Sequence, residues 1–264
     1  MDQIQVRGHR IAYQRKGEGP PLVFLHGWPL DSREWRRQID GLSDEFTVVA
    51  WDAPGAGQSS DPPEAFRLSD WADCLAAFIE ALGLGRPHVA GLSFGGGLAL
   101  ELYRRHPSVP RTLILTSAYA GWAGSLPAEV VEDRLRLMLR NCDMPSDQWA
   151  PALIKTLLTE EASAGMVAEL LSIISGFHPA ATRVAMQAFA EADLRDVLPR
   201  IDIPTLLVYG DRDVRAPERV WQALHSNIRG SELVLIPGAG HVVDIEASER
   251  FNAEVRGFLR EVQT

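Results

Sequence analysis

The chain has 264 residues, with 35 Asp and Glu against 26 Lys and Arg, a formal charge of −9, and 46% hydrophobic and 23% charged side chains. Those proportions exclude intrinsic disorder, a collagen-like repeat and a disulfide scaffold, and the length admits one large domain or two small ones. The acidic balance argues against nucleic acid as a partner, because phosphate-backbone binding needs a clustered basic surface.

The elements alternate from the start. Met1 to Lys16 is polar and alternating, and Ile4 to Tyr13 forms a hairpin pattern around Gly8. It lacks the cationic start and apolar run of a secretory signal, and no stretch reaches the roughly 20 apolar residues of a membrane span. With only Cys74 and Cys142, both expected as bystanders, the expectation is a cytoplasmic protein with no membrane contact. Continuous apolar runs at Leu22–Leu25, Phe46–Trp51, Pro87–Gly91, Thr112–Thr116, Thr205–Tyr209 and Glu232–Ile236 predict buried strands covered on both faces. Between them, Ser69 to Leu82 predicts a helix with Ser69 as N-cap, Gly83 behind it and one apolar face of Trp71, Leu75, Phe78, Ile79 and Leu82. From about Pro127 to Leu198 strand patterning gives way to helical periodicity. The pattern is α/β: an open sheet spanning residues 1–121 and 196–264, with a helical insertion at 122–195.

Chemistry-bearing residues fall at the ends of these strands. Gly91-Leu92-Ser93-Phe94-Gly95 follows one strand and opens a helix, the setting in which a serine on a sharp turn needs small neighbours on either side. Gly96 and Gly97 extend the run at about 1 kcal/mol each relative to Ala, which suggests close helix–strand approach. A serine nucleophile needs a base, and the base needs an orienting carboxylate. His241 follows the loop Pro237-Gly238-Ala239-Gly240, and Asp213 ends Gly210-Asp211-Arg212-Asp213. Asp211 is the rival acid, with loop hydrogen bonding as its expected role. His26-Gly27-Trp28-Pro29 supplies a second loop. Two N–H donors are required for an acyl-transfer oxyanion; Phe94 offers one and Trp28 the other, since Pro29 has none. His26 is expected to brace this loop. His9, His88, His106, His178 and His225 form no spaced ligand set, so neither a metal nor another cofactor is expected.

Taken together, His26-Gly27-Trp28-Pro29, the segment Trp51 to Ser59, Gly91 to Gly96, Tyr209 to Asp213 and Gly238 to His241 resemble the α/β-hydrolase fold family over nearly the whole chain. The resemblance implies a mostly parallel eight-stranded sheet, a triad of Ser93, Asp213 and His241, oxyanion donors Trp28 and Phe94, and a lid formed by the helical insertion. Pro54 stands where many members have Arg, and Glu246-Ala247-Ser248 where many have Glu-x-Pro. A serine nucleophile separates the chain from the dehalogenases and epoxide hydrolases of that family, which use Asp. The short His26 loop favours ester and lactone hydrolases over C–C bond hydrolases. Enol-lactonases and acyl-homoserine lactonases share the motif pattern, and Pro29 resembles the loop of perhydrolases and cofactor-free haloperoxidases. Non-catalytic receptors of the same fold are the alternative of another class. Trp28, Tyr119, Trp122, Met138, Trp149, Met166 and Phe177 are the candidates for an apolar substrate pocket.

Overall fold

A computed structural model describes residues 1–262. The first strands are β1 (Asp2–Val6), β2 (His9–Lys16) and β3 (Pro21–Leu25); a short 3-10 turn, Ser32–Trp35, leads into α1 (Arg36–Leu42) and β4 (Thr47–Trp51). Then come α2 (Leu68–Ala81), β5 (His88–Leu92), α3 (Phe94–Arg105) and β6 (Thr112–Thr116). Four helices follow without a strand: α4 (Ala128–Asn141), α5 (Ser146–Leu157), α6 (Ala164–Ile174) and α7 (Pro179–Glu191). The chain closes with β7 (Thr205–Gly210), α8 (Glu218–Asn227), β8 (Glu232–Ile236), α9 (Val243–Glu246) and α10 (Ser248–Glu261). The eight strands form one sheet in the order β1-β2-β4-β3-β5-β6-β7-β8, antiparallel at β1–β2 and β2–β4 and parallel elsewhere.

Strand alternation divides the core in two. Val23, Leu25, Val49, Trp51, Val89, Leu113 and Tyr209 point to the side covered by α2, α3 and α8. Their chain neighbours Leu22, Phe24, Val48, Ala50, Ala90, Ile114 and Val208 point to the side covered by α1 and α10. Burial on both faces is why these strands are apolar throughout. The inserted helices continue both layers: Met138, Met186 and Phe189 join the first cluster, while Trp149, Ile154, Leu157 and Leu170 join the second.

One predicted cap differs. α2 begins at Leu68 with Arg67 as its N-cap, so Ser69 lies inside the first turn. Asp70 provides the closure instead, its carboxylate accepting the Arg67 backbone N–H at 2.7 Å. Gly83 follows the C-terminus at φ +64°, donating its N–H to the Glu80 carbonyl.

Beneath the sheet edge lies an acidic knot. Glu34, Gln38 and Asp244 are completely buried; Glu34 Oε2 accepts the Gly27 N–H at 2.9 Å and Gln38 Nε2 donates to the Asp244 carbonyl at 2.9 Å. Neither carboxylate oxygen of Asp244 has a hydrogen-bond partner among the described residues. Burial pushes the Asp244 carboxyl up to about 7 from an ordinary 3.8. Burial and the neighbouring Asp244 also raise Glu34. A folded pKa above the unfolded one means stability is fully present below pH 3.8 and lost as pH rises through about 7. Asp244→Asn is therefore expected to raise the stability at pH 8 by up to about 4 kcal/mol, with a smaller gain at pH 5. Thermal melts at the two pH values check this; an equal gain at both would contradict it.

Candidate active site

Trp28, Ser93, Phe94, Asp213 and His241 all follow the C-terminal ends of strands, β3, β5, β7 and β8, where parallel α/β folds leave a crevice. Ser93 stands between β5 and α3 with φ +52° and ψ −107°, a conformation disfavoured for a residue carrying a side chain. Its N–H donates to the Thr116 carbonyl at 2.9 Å, tying the turn to the end of β6. The flanking glycines are required by contact. A Cβ on Gly91 would collide with the Gly95 carbonyl, and one on Gly95 with the Leu25 carbonyl at the end of β3. Phe94 then opens α3, where its N–H lacks an intrahelical acceptor and lies at the positive end of the helix dipole.

His241 and Asp213 meet below the surface. The His241 Nδ1–H donates to Asp213 Oδ2 at 2.9 Å, with both side chains nearly inaccessible. Asp213 Oδ1 accepts the backbone N–H groups of Arg215 (2.8 Å) and Ala216 (2.9 Å), fixing the carboxylate on both sides. Burial alone would raise the Asp213 pKa, but the charge and hydrogen bond of His241 and these two N–H groups outweigh it and hold it below the usual range. For His241, burial dominates and lowers the pKa, with the nearby cations Arg215 and Arg134 adding to it and Asp213 opposing it. The imidazole is thereby neutral at pH 7, with Nδ1 protonated and Nε2 free to act as base. Asp211, in contrast, is exposed and accepts the Gly238 N–H at 2.7 Å, so it shapes the loop ahead of His241 without touching the ring.

The loop after β3 is held from several directions. His26 Nε2 accepts the Ala53 N–H at 3.0 Å, so Nδ1 carries the proton and donates to the Gly27 carbonyl at 2.8 Å. Burial lowers the His26 pKa and keeps it neutral. Trp28 Nε1 donates to Thr182 Oγ1 of α7 at 3.1 Å, and its ring lies edge-on to Phe94 with centroids 5.1 Å apart. Asp52 accepts the N–H groups of Ser32 and Gln58, both at 2.8 Å, and so anchors the turn that follows β4. No cluster of three or more His, Cys, Asp or Glu among the described residues is arranged to hold a metal ion.

The candidate pocket residues do not all lie together. Tyr119 approaches the His241 ring at 6.2 Å between centroids. Trp122, Met138 and Trp149 line one cavity of about 200 Å³. Phe177 packs edge-on against Trp149 at 4.9 Å and, with Trp28, borders a separate crevice. Met166 belongs to a third place, an open groove between α6 and Arg33, Arg36 and Arg37. Its helical spacing carried no information about which face of α6 it occupies.

Two further acids support the site loops: Glu34, which no motif announced, and Glu246, which keeps the acid of the Glu-x-Pro position. Glu34 is the carboxyl that holds the Gly27 N–H. Glu246 accepts the Gly240 N–H at 2.6 Å and both the N–H and hydroxyl of Thr159, at 2.7 and 2.6 Å, joining the His241 loop to the end of α5.

Comparison with known proteins agrees with this fold. A family model described as the alpha/beta hydrolase family matches residues 22–254. A pimeloyl-[acyl-carrier protein] methyl ester esterase of Neisseria meningitidis is 31% identical over 248 residues, covering 91% of this chain and 94% of that protein. An AB hydrolase superfamily protein of Bacillus subtilis is 30% identical over 251 residues, covering 92% of each. Among solved structures, a thermophilic esterase from Thermogutta terrifontis superposes with a TM-score of 0.92 at 29% identity over the full length of both chains. An enol-lactonase from Burkholderia xenovorans shares the fold, with a TM-score of 0.90 at 23% identity over 98% of this chain and 100% of that one.

The contacts at Gly95 set a test of the turn. Gly95→Ala should destabilise the protein by about 2 kcal/mol or more, because the added methyl meets backbone that cannot yield. Gly257→Ala, in α10 with open space around the new Cβ, should stabilise by up to about 1 kcal/mol. Urea unfolding of the two variants distinguishes packing conflict from helix propensity.

Proposed function

The chain belongs to the alpha/beta hydrolase family, and from that membership we propose that it is a serine hydrolase cleaving carboxylic ester or lactone bonds through an acyl-enzyme intermediate. The observation that carries the reading is the buried Asp213–His241 hydrogen bond, at the same sheet edge as a serine held at positive φ. That combination supports a nucleophile, a neutral base and an orienting carboxylate. Similarity to an esterase structure and to a methyl ester esterase supports an ester as the bond broken.

In this mechanism His241 Nε2 takes the Ser93 hydroxyl proton as Oγ attacks the carbonyl carbon. The N–H groups of Trp28 and Phe94 hold the resulting oxyanion. His241 returns the proton to the departing alkoxide, and the acyl group stays on Ser93. Water, deprotonated by the same Nε2, then attacks the acyl-enzyme, and collapse of the second tetrahedral intermediate releases the acid and restores Ser93. Asp213 keeps its proton-accepting position throughout and offsets the positive charge that His241 carries in each transition state. The helical segment 122–195 acts as a lid over the acyl chain, with Tyr119 beside His241 and Trp122 on the wall of the adjoining cavity.

Purified protein should hydrolyse p-nitrophenyl butyrate over many turnovers, and Ser93→Ala should lose at least about 10⁴-fold in kcat. A single slow turnover would overturn the reading. Asp213→Asn should lose about 10³–10⁴-fold, whereas Asp211→Asn should change the rate by about twofold or less; the reverse order would exchange their roles.

The pH profile follows from the base. Activity needs neutral His241, so the rate should rise with pH through a midpoint below 6.5, because burial lowers that pKa. In Asp213→Asn the attraction that favours the imidazolium is lost, and the residual activity should show a midpoint lower still. Initial rates of the wild-type protein and the Asp213→Asn variant across the acidic and neutral range read both.

A further inference from the structure

Two arginines stand beside the site without an ion-paired acid among the described residues. Arg215 lies two residues beyond Asp213, and its Nη1 donates to the Thr156 hydroxyl of α5 at 3.0 Å. Arg134, from α4, donates through Nη1 to the Tyr119 hydroxyl (3.3 Å) and through Nη2 to the Arg215 carbonyl (2.9 Å), and its guanidinium lies 5.9 Å from the centre of the Trp122 ring. Every one of these partners is neutral. Arg212, one residue before Asp213, behaves differently, pairing with Glu161. Each guanidinium has five N–H donors, so both keep donors to spare.

These two partly buried cations border the cavity of about 200 Å³, whose rim also carries the exposed Arg140. Its remaining wall is mostly apolar, with Leu137, Met138 and Trp149, and the Trp149 indole N–H is buried with no hydrogen-bond partner among the described residues. Ser93 and His241 do not line it; the connection runs through Tyr119, which contacts Arg134 and approaches His241. A partly buried cation without a paired counter-ion is costly, and burial lowers the Arg215 pKa despite the opposing pull of Tyr119 and Asp213. An anion supplied by a ligand would remove that cost, with charge-assisted hydrogen bonds from planar donors suited to a carboxylate.

We propose that the substrate is an ester or lactone whose acyl chain ends in a carboxylate, bound by Arg134 and Arg215 while its methylene chain lies against Met138 and Trp149. This inference rests on the ester-hydrolase reading of the same site. The acyl side is the one that benefits, because it stays attached to Ser93 through both half-reactions. A leaving alcohol held by two enclosed cations would instead be slow to depart. Arg134 and Arg215 are thus specificity-determining residues that touch the distal end of the substrate.

The test compares mono-p-nitrophenyl glutarate with p-nitrophenyl valerate, which share a leaving group and a five-carbon acyl chain. Wild-type protein should favour the glutarate by about tenfold or more in kcat/KM, through KM more than kcat. In Arg134→Gln and Arg215→Gln the ratio should fall toward one, and Arg134→Lys and Arg215→Lys should retain part of it. If a Gln variant fails to fold, judged by its thermal melt, the wild-type ratio and the Lys variants decide. Equal rates on both esters, preference for valerate, or a ratio undiminished in both folded Gln variants would overturn the inference while leaving the hydrolase reading intact. Failure to turn over either ester would overturn both.

Discussion

The site rests on one local constraint: a serine with positive φ at the junction of a buried strand and a buried helix. That conformation costs on the order of 1–3 kcal/mol and persists only where the surroundings overdetermine it. Three features do so. The Ser93 N–H is committed to the end of β6, the Gly95 backbone lies against the end of β3, and α3 packs so closely on the sheet that Gly96 and Gly97 leave no room for side chains beside Ala118 and Phe189. The same closeness brings the loop after β3 alongside Phe94. The serine turn and the Trp28 loop are therefore one packing unit, and their relative geometry is set by backbone contacts.

Around that unit the buried polar groups hold loops in place. His26 commits both ring nitrogens to backbone, Asp52 gathers two N–H groups from separate turns, and Glu34 reaches the N–H of Gly27 from the 3-10 turn before α1. Such groups are costly to bury, and the unpartnered oxygens of Asp244 show that the region is not fully satisfied. The cost falls on global stability at alkaline pH, while the benefit falls on loop position. A protein whose candidate catalytic groups lie on connecting loops needs this exchange, because the strands alone fix only where each loop begins.

The architecture was legible because its signals are steric and periodic. Continuous apolar strands report burial on both faces, and Gly91 and Gly95 report a close approach that no other residue tolerates. Asp213, His26 and His241 stood at strand ends, so their neighbourhood followed from topology. What escaped was everything set by the meeting of distant segments. Glu34 is an ordinary charged residue until the fold brings Gly27 to it, and the Glu-x-Pro position of Glu246 did not say that it would hold Gly240. The helical insertion was the least legible part. Helix spacing says which residues share a face, but two layers of helix offer two faces, and Trp149 and Met166 were divided between different cavities. Arg134 and Arg215 gave no pattern at all, since their significance lies in the lack of an acid paired with them.

The insertion is also more than a cover. The Leu157 carbonyl at the end of α5 accepts the N–H groups of both His241 and Val242, at 2.9 and 3.2 Å, and Glu246 fastens Thr159 to the same loop. On the opposite side Trp28 reaches Thr182 of α7. His241 and the loop after β3 are thus each hydrogen-bonded to the inserted segment. A displacement of α5 that broke those bonds would move the His241 backbone with it, so the end of α5 belongs to the rigid frame of the site. Along α4, by contrast, Leu137 is 53% exposed, and Arg134 attaches to the core through Tyr119 and the Arg215 carbonyl. The helix that carries Arg134 is thus tied to the neighbourhood of His241 only through Tyr119 and Arg215.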